Sequence, residues 1–189
     1  TGWTPPESLL GTPYSSDTQA HKLVKLRIGL FFDGTLNDYA NSLLGEECRA
    51  NPMDSLEAKG LGACKDYMRT DGSYLNGETN VHRLFTLYRD SSGDSGSDSG
   101  EEDCYFIPLY VEGIGATAGK PDDLAGMATG GGETGIYDRV ENALEFQLVA
   151  PLEQFQAQQK NAWVTDIDLD VFGFSRGAAA ARHAVNRIN

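Results

Sequence analysis

Three stretches of the chain have the apolar pattern of strands. Residues 23–32, LVKLRIGLFF, alternate apolar and basic positions and then turn wholly apolar, as a strand does on entering a buried sheet. CYFIPLYV (104–111) and DIDLDVFGF (166–174) are the second and third. Helical spacing lies between and after them. From Thr79, near the N-cap, the segment TNVHRLFTLYRD sets Val81, Leu84, Phe85 and Tyr88 on one face. A longer helix is expected from about Gly135, with Val140, Leu144, Leu148, Leu152 and Phe155 at steps of three and four, and with Pro151 kinking or dividing it. An alanine-rich helix begins at Ser175. This alternation predicts an α/β fold, a mainly parallel sheet flanked by helices and joined by right-handed crossovers.

Two segments lack this periodicity. Residues 39–77 are polar and punctuated by glycine, which predicts a loop-rich insertion with short helices over one end of the sheet. Residues 91–103, SSGDSGSDSGEED, are acidic and of low complexity, which predicts a solvated flexible loop. They lack the spaced ligands and closing glutamate of an EF-hand calcium loop.

Composition narrows the function classes. The 189 residues suit one α/β domain or most of one, and 40% hydrophobic content is enough for a single core. A formal net charge of −13 argues against nucleic acid, since no Lys and Arg cluster to meet phosphates. It also disfavours long-range attraction to an anionic membrane, while leaving open a local apolar contact with lipid. No apolar run is long enough to span a bilayer, and the start, TGWTPP, has neither the form of a signal peptide nor an initiator methionine. A processed or trimmed chain is expected. Cys48, Cys64 and Cys104 lack CxxC spacing, so no zinc site is expected. Their odd number favours buried thiols, with a Cys48–Cys64 bridge as the alternative in an oxidising compartment.

The chemistry concentrates at the third strand's end. Gly173-Phe174-Ser175-Arg176-Gly177 fits G-x-S-x-G, in which a serine occupies a strained turn between strand and helix. Glycines two residues away on either side let the backbone segments pass. Ser175 is the candidate nucleophile, at a helix N-terminus where unpaired N–H groups favour developing negative charge. The Arg176 amide is a candidate oxyanion donor, and Gly34 or Thr35, after the first strand, the other. Asp33 is a possible active-site residue or a turn cap. Asp33-Gly34-Thr35 also resembles the DGT of haloacid-dehalogenase phosphatases, but their nucleophilic aspartate is replaced here by Phe31.

The glycine stretches 113–119 and 130–135 match no phosphate-binding pattern, and no cofactor or metal is expected. His21 precedes the first strand, His82 lies early in the first helix, and His183 points away from the elbow, so all three read as structural. Only fourteen residues follow Ser175, too few for the usual Ser, Asp, His order. The chain therefore reads as the N-terminal part of its domain.

Four blocks, FFDGTLND (31–38), TNVHRLF (79–85), YVEGIGAT (110–117) and VFGFSRGAAAARHAVNRI (171–188), resemble in order and spacing the type VI secretion phospholipase effector family. Its members typically read DGT-x-N, TNV, GxGT and GFSRGA, and here Glu112 stands where proline is common. The resemblance implies an α/β-hydrolase of Ser–Asp–His type, secreted into rival bacteria to cleave membrane phospholipid in the periplasm or at the membrane surface. It implies as partners a downstream segment of the same protein carrying the aspartate and histidine, a cognate immunity protein, and a secretion spike or tube component. Two further readings of the residues stand beside it: a non-catalytic α/β-hydrolase-like binding module, and a soluble carboxylesterase.

Overall fold

The computed structural model describes residues 22–50, 72–91, 103–123, 132 and 134–188. The first element, β1 (Lys22–Phe32), is followed by α1 (Tyr39–Ala50), α2 (Asn80–Leu87) and β2 (Asp103–Val111). Next come α3 (Ile136–Asn142), a π-helical turn (Ala143–Gln147), α4 (Val149–Gln158), β3 (Ala162–Gly173) and α5 (Arg176–Ile188). The strands form a parallel sheet of order β2-β1-β3. The expected α/β class and parallel pairing are therefore present. His21, Cys64 and most of the acidic 91–103 segment lie outside the described residues.

Alternation along β1 divides the sheet's two faces. Val24, Leu26, Ile28, Leu30 and Phe32 are at most 1% exposed and face the helical layer. There they join Val140, Leu144, Leu148 and Leu152 from the divided helix and Ala180, Ala181 and Ala184 from α5. Alanines on α5 have little bulk, so the helix axis sits close to the strands. The long helix is interrupted before Pro151, not at it. The Leu148 N–H reaches back five residues to the Ala143 carbonyl (3.0 Å), making the π-turn. Pro151 then falls in the first turn of α4, where its missing N–H costs nothing.

The opposite face is charged at one end and aromatic at the other. Lys25 pairs with Asp168 (2.9 Å) and Asp166 (3.4 Å), and Arg27 with Asp170 (2.7 Å), all across β1 and β3. Nearer the strands' carboxyl ends, Phe31 stacks on Phe172 with ring centroids 4.8 Å apart. The edges of Phe85 and Tyr88, from α2 and its C-cap, close over Phe31. Gly29 makes room for this cover, since a side chain there would meet the Tyr88 ring within 2.9 Å.

The third strand begins four residues earlier than its alternating pattern implied, because Ala162, Trp163 and Val164 pair with Lys22, Leu23 and Val24. One cysteine reading is overturned: Cys48, fully buried on α1, is disulfide-bonded, its partner outside the described residues. Cys104 alone among the described residues carries a free thiol. An odd count bears on the whole set, not on which cysteine is left over.

Candidate active site

All three strands end at the same edge, and the loops that leave them meet there, as binding loops of parallel sheets do. β3 stops at Gly173 and α5 starts at Arg176, leaving a two-residue turn. Ser175 holds φ +55°, in the left-handed region that a residue with a side chain rarely adopts. Such strain persists only where its surroundings enforce it. The Phe174 N–H donates to the Phe32 carbonyl (3.2 Å), and the Ala178 N–H to that of Ser175 (3.0 Å). A Cβ on Gly173 would overlap the Gly177 carbonyl, and one on Gly177 would overlap the carbonyls of Phe32 and Asp33. Both glycines are thus needed for two close crossings, elbow against helix and helix against the end of β1. Ser175 itself is exposed.

The loop after β1 lies against this turn. A Cβ on Gly34 would come within 3.0 Å of the Phe174 ring. Asp33, 1% exposed, organises the loop through its carboxylate. Its Oδ1 accepts the Gly34 N–H (2.7 Å), and its Oδ2 accepts the hydroxyls of Thr79 (2.6 Å) and Tyr110 (2.7 Å). Burial and the Asp33 charge push the Tyr110 phenol well above its ordinary range, so it stays a donor. Of the two candidates for the second oxyanion donor, the Gly34 amide is consumed by Asp33, whereas the Thr35 amide makes no hydrogen bond among the described residues. Arg176 is the first residue of α5, at the helix N-terminus.

A second loop interlocks with the first. The Gly113 N–H donates to the Asn37 carbonyl (2.8 Å) and the Leu36 N–H to that of Ile114 (3.0 Å). Leu36 is also left-handed, at φ +54°, and Asn76 donates to its carbonyl (2.7 Å). A Cβ on Gly113 would overlap the Gly34 carbonyl. Sequence reasoning missed these supports. Thr79 was legible only as a helix cap, and it does cap α2, accepting the His82 N–H (3.1 Å) while donating to Asp33.

No histidine among the described residues is hydrogen-bonded to Ser175. His82 is buried, with Nδ1 3.0 Å from Glu78 and its ring stacked 3.8 Å from that of Tyr39. His183 stands edge-on to Tyr137. Also among the described residues, no group of three His, Cys, Asp or Glu is placed to hold a metal ion. No described helix is long and apolar enough to cross a membrane. Beside the elbow lies a cavity of about 300 Å³, bordered by Gly173 and Phe174.

The class defined so far is an α/β unit with a three-stranded parallel sheet and a strained serine at its carboxyl edge. Among solved structures, the chain is similar to the Tle1 effector in its complex with the VgrG spike of the type 6 secretion system, with 26% identity and a TM-score of 0.53. The likeness covers 90% of this chain and spans 32% of that one, so the chain is similar to about a third of a type 6 secretion effector. No family model and no curated protein matches it.

Proposed function

We propose that these residues are the N-terminal part of an α/β-hydrolase domain in a type 6 secretion effector, and that Ser175 hydrolyses acyl esters of phospholipid. The observation that carries this reading is the left-handed, exposed Ser175 between β3 and α5. A turn residue without a chemical role has no need of that strain. The strand order and the place of the loop after β1 suit the same reading.

In the proposed reaction the Ser175 Oγ attacks the acyl carbonyl and its proton passes to a histidine base. The Arg176 and Thr35 amides hold the oxyanion. On collapse, the leaving lysophospholipid oxygen takes that proton and the acyl group stays on Ser175. Water, deprotonated by the same base, then releases the fatty acid and restores the serine. The base and its carboxylate are proposed to come from a downstream segment of the same protein; His82 and His183 are engaged elsewhere, and His21 lies outside the described residues. The spike in the similar structure supports a spike protein as carrier. A cognate immunity protein and action at the target's membrane or periplasm complete the proposal.

The test is Ser175→Ala in the full-length protein, assayed on phospholipid vesicles and with a fluorophosphonate probe. Turnover should fall by several orders of magnitude and labelling should vanish, with folding kept. Wild-type turnover by the folded variant overturns the serine mechanism. Turnover of soluble esters without that of lipid points to a carboxylesterase, and neither activity in the wild type to a binding module.

A further inference from the structure

The cavity beside the elbow is walled by Val81 and Leu84 of α2 and by Phe172 and Phe174 of the third strand and its turn. Its polar side chains among the described residues are three, Asn37, Thr79 and Asn80. The Thr79 hydroxyl is engaged by Asp33 and the His82 amide, and the Asn37 side chain accepts from Asn76 (2.9 Å). No charged side chain among the described residues lines it. A phosphate or choline headgroup would lose hydration there with only the side-chain amides of Asn37 and Asn80 to replace it, whereas a hydrocarbon loses nothing. Chain position gives the cavity a direction, because Phe174, in its wall, is the residue before Ser175. An ester whose carbonyl sits at the Ser175 Oγ therefore has its acyl tail beside this opening. Toward solvent the wall passes into exposed apolar surface at Leu84 (48%), Phe174 (64%) and, one turn beyond, Leu87 (82%).

Resting on the serine-esterase reading, we propose that this cavity is the acyl-chain subsite and that Leu84 sets the length of chain it accepts. The occupant is the hydrocarbon tail of the ester being cleaved. A cavity of about 300 Å³ has room for several methylenes of a tail, and longer tails continue over the apolar rim. Leu84 controls this length because it stands half-exposed at the mouth, while Val81 (6% exposed) and Phe172 are fixed by the fold behind it. The same placement explains why Leu84, at a core position of α2 by sequence periodicity, is not buried.

The experiment uses the full-length protein and a series of esters from butyryl to decanoyl. Each buried methylene is worth about a fourfold gain in affinity. Leu84→Trp, which fills the mouth, should lower the decanoyl-to-butyryl ratio of kcat/KM at least tenfold, and Leu84→Ala should leave the ratio equal or higher. Asn80→Trp, from an exposed position on the same rim, repeats the test if Leu84→Trp misfolds. A second arm needs no turnover: cis-parinaric acid should bind the Ser175→Ala protein, be displaced by decanoate, and bind at least tenfold more weakly once Leu84→Trp is added. An unchanged ratio with Ser175-dependent turnover overturns the subsite and leaves the serine mechanism standing. Turnover that survives Ser175→Ala overturns the mechanism, and the binding arm then judges the cavity alone. Failure of the fatty acid to bind, or binding indifferent to Leu84→Trp, overturns the subsite.

Discussion

The two faces of the sheet are built on different terms. One carries Val24, Leu26, Ile28, Leu30 and Phe32 of β1 under three helices and the π-turn. Among the described residues, the other is covered only at its carboxyl half, by the eight residues of α2 and the ring of Tyr88. Its remaining half bears Lys25, Arg27 and three aspartates exchanging ion pairs in water. The difference separates the stabilising face from the face that carries the candidate site. A fully covered aliphatic face supplies the hydrophobic term and tolerates no gaps. A half-covered face leaves space at its rim, and there lie the elbow, the interlocked loops and the cavity.

The sharpest way to break this comparison is at a point where the two sides touch. Gly177 belongs to the helix of the aliphatic layer, yet it lies against the carbonyls of Phe32 and Asp33, which begin the site loop. Gly177→Val should cost about 3 kcal/mol or more, or displace Ser175 and abolish fluorophosphonate labelling. A variant of native urea midpoint and full activity would show that the crossing is not tight. Next in size is a contrast between adjacent residues of β1. Leu26→Ala opens a void in the helical layer and should cost about 2–5 kcal/mol. Lys25→Ala removes exposed ion pairs from the other face and should leave the urea midpoint unchanged within error. Equal losses at both positions would mean that the ion-pair ladder also holds the sheet.

Much of this division was legible in the sequence, for local reasons. Alternation in LVKLRI and DIDLDV marks which positions face the helices and which face water, because side-chain direction in a strand has period two. The glycines around Ser175 are legible because the crowding they relieve is only two residues away. Gly113 against the Gly34 carbonyl is a different case: the two sit 79 positions apart, and only the packing of two strand ends brings them together. The same holds for Asp33, whose three donors come from positions 34, 79 and 110. A turn aspartate and a catalytic aspartate look alike until those donors are placed. Leu84 shows the converse failure, since periodicity names a face and not what covers it.

The smallest expected effect concerns a carboxylate of the site side that has no counterpart in the aliphatic layer. Asp38 caps α1, its Oδ1 accepting the N–H groups of Ala40 (2.8 Å) and Asn41 (3.2 Å), while its Oδ2 is buried without a partner. Burial first, and then the nearby charge of Glu112, raise its pKa above the ordinary 3.8 despite those bonds. For a group raised on folding, the associated stability is fully present below the ordinary value and is lost as pH climbs through the raised one. The wild type thus carries at neutral pH a penalty that it lacks in acid. Asp170, which Arg27 and Tyr88 hold below the ordinary range, works oppositely but equally in both proteins, so it cancels in the difference. Asparagine caps a helix as well as aspartate and does not titrate. Asp38→Asn should therefore raise Tm at pH 7. The gain should shrink with acidification and vanish below the ordinary carboxyl value. Thermal melts of both proteins across that range decide it, and an Asp38→Asn protein less stable than wild type at neutral pH would mean that the charge, with Arg139 nearby, is a net asset to the site.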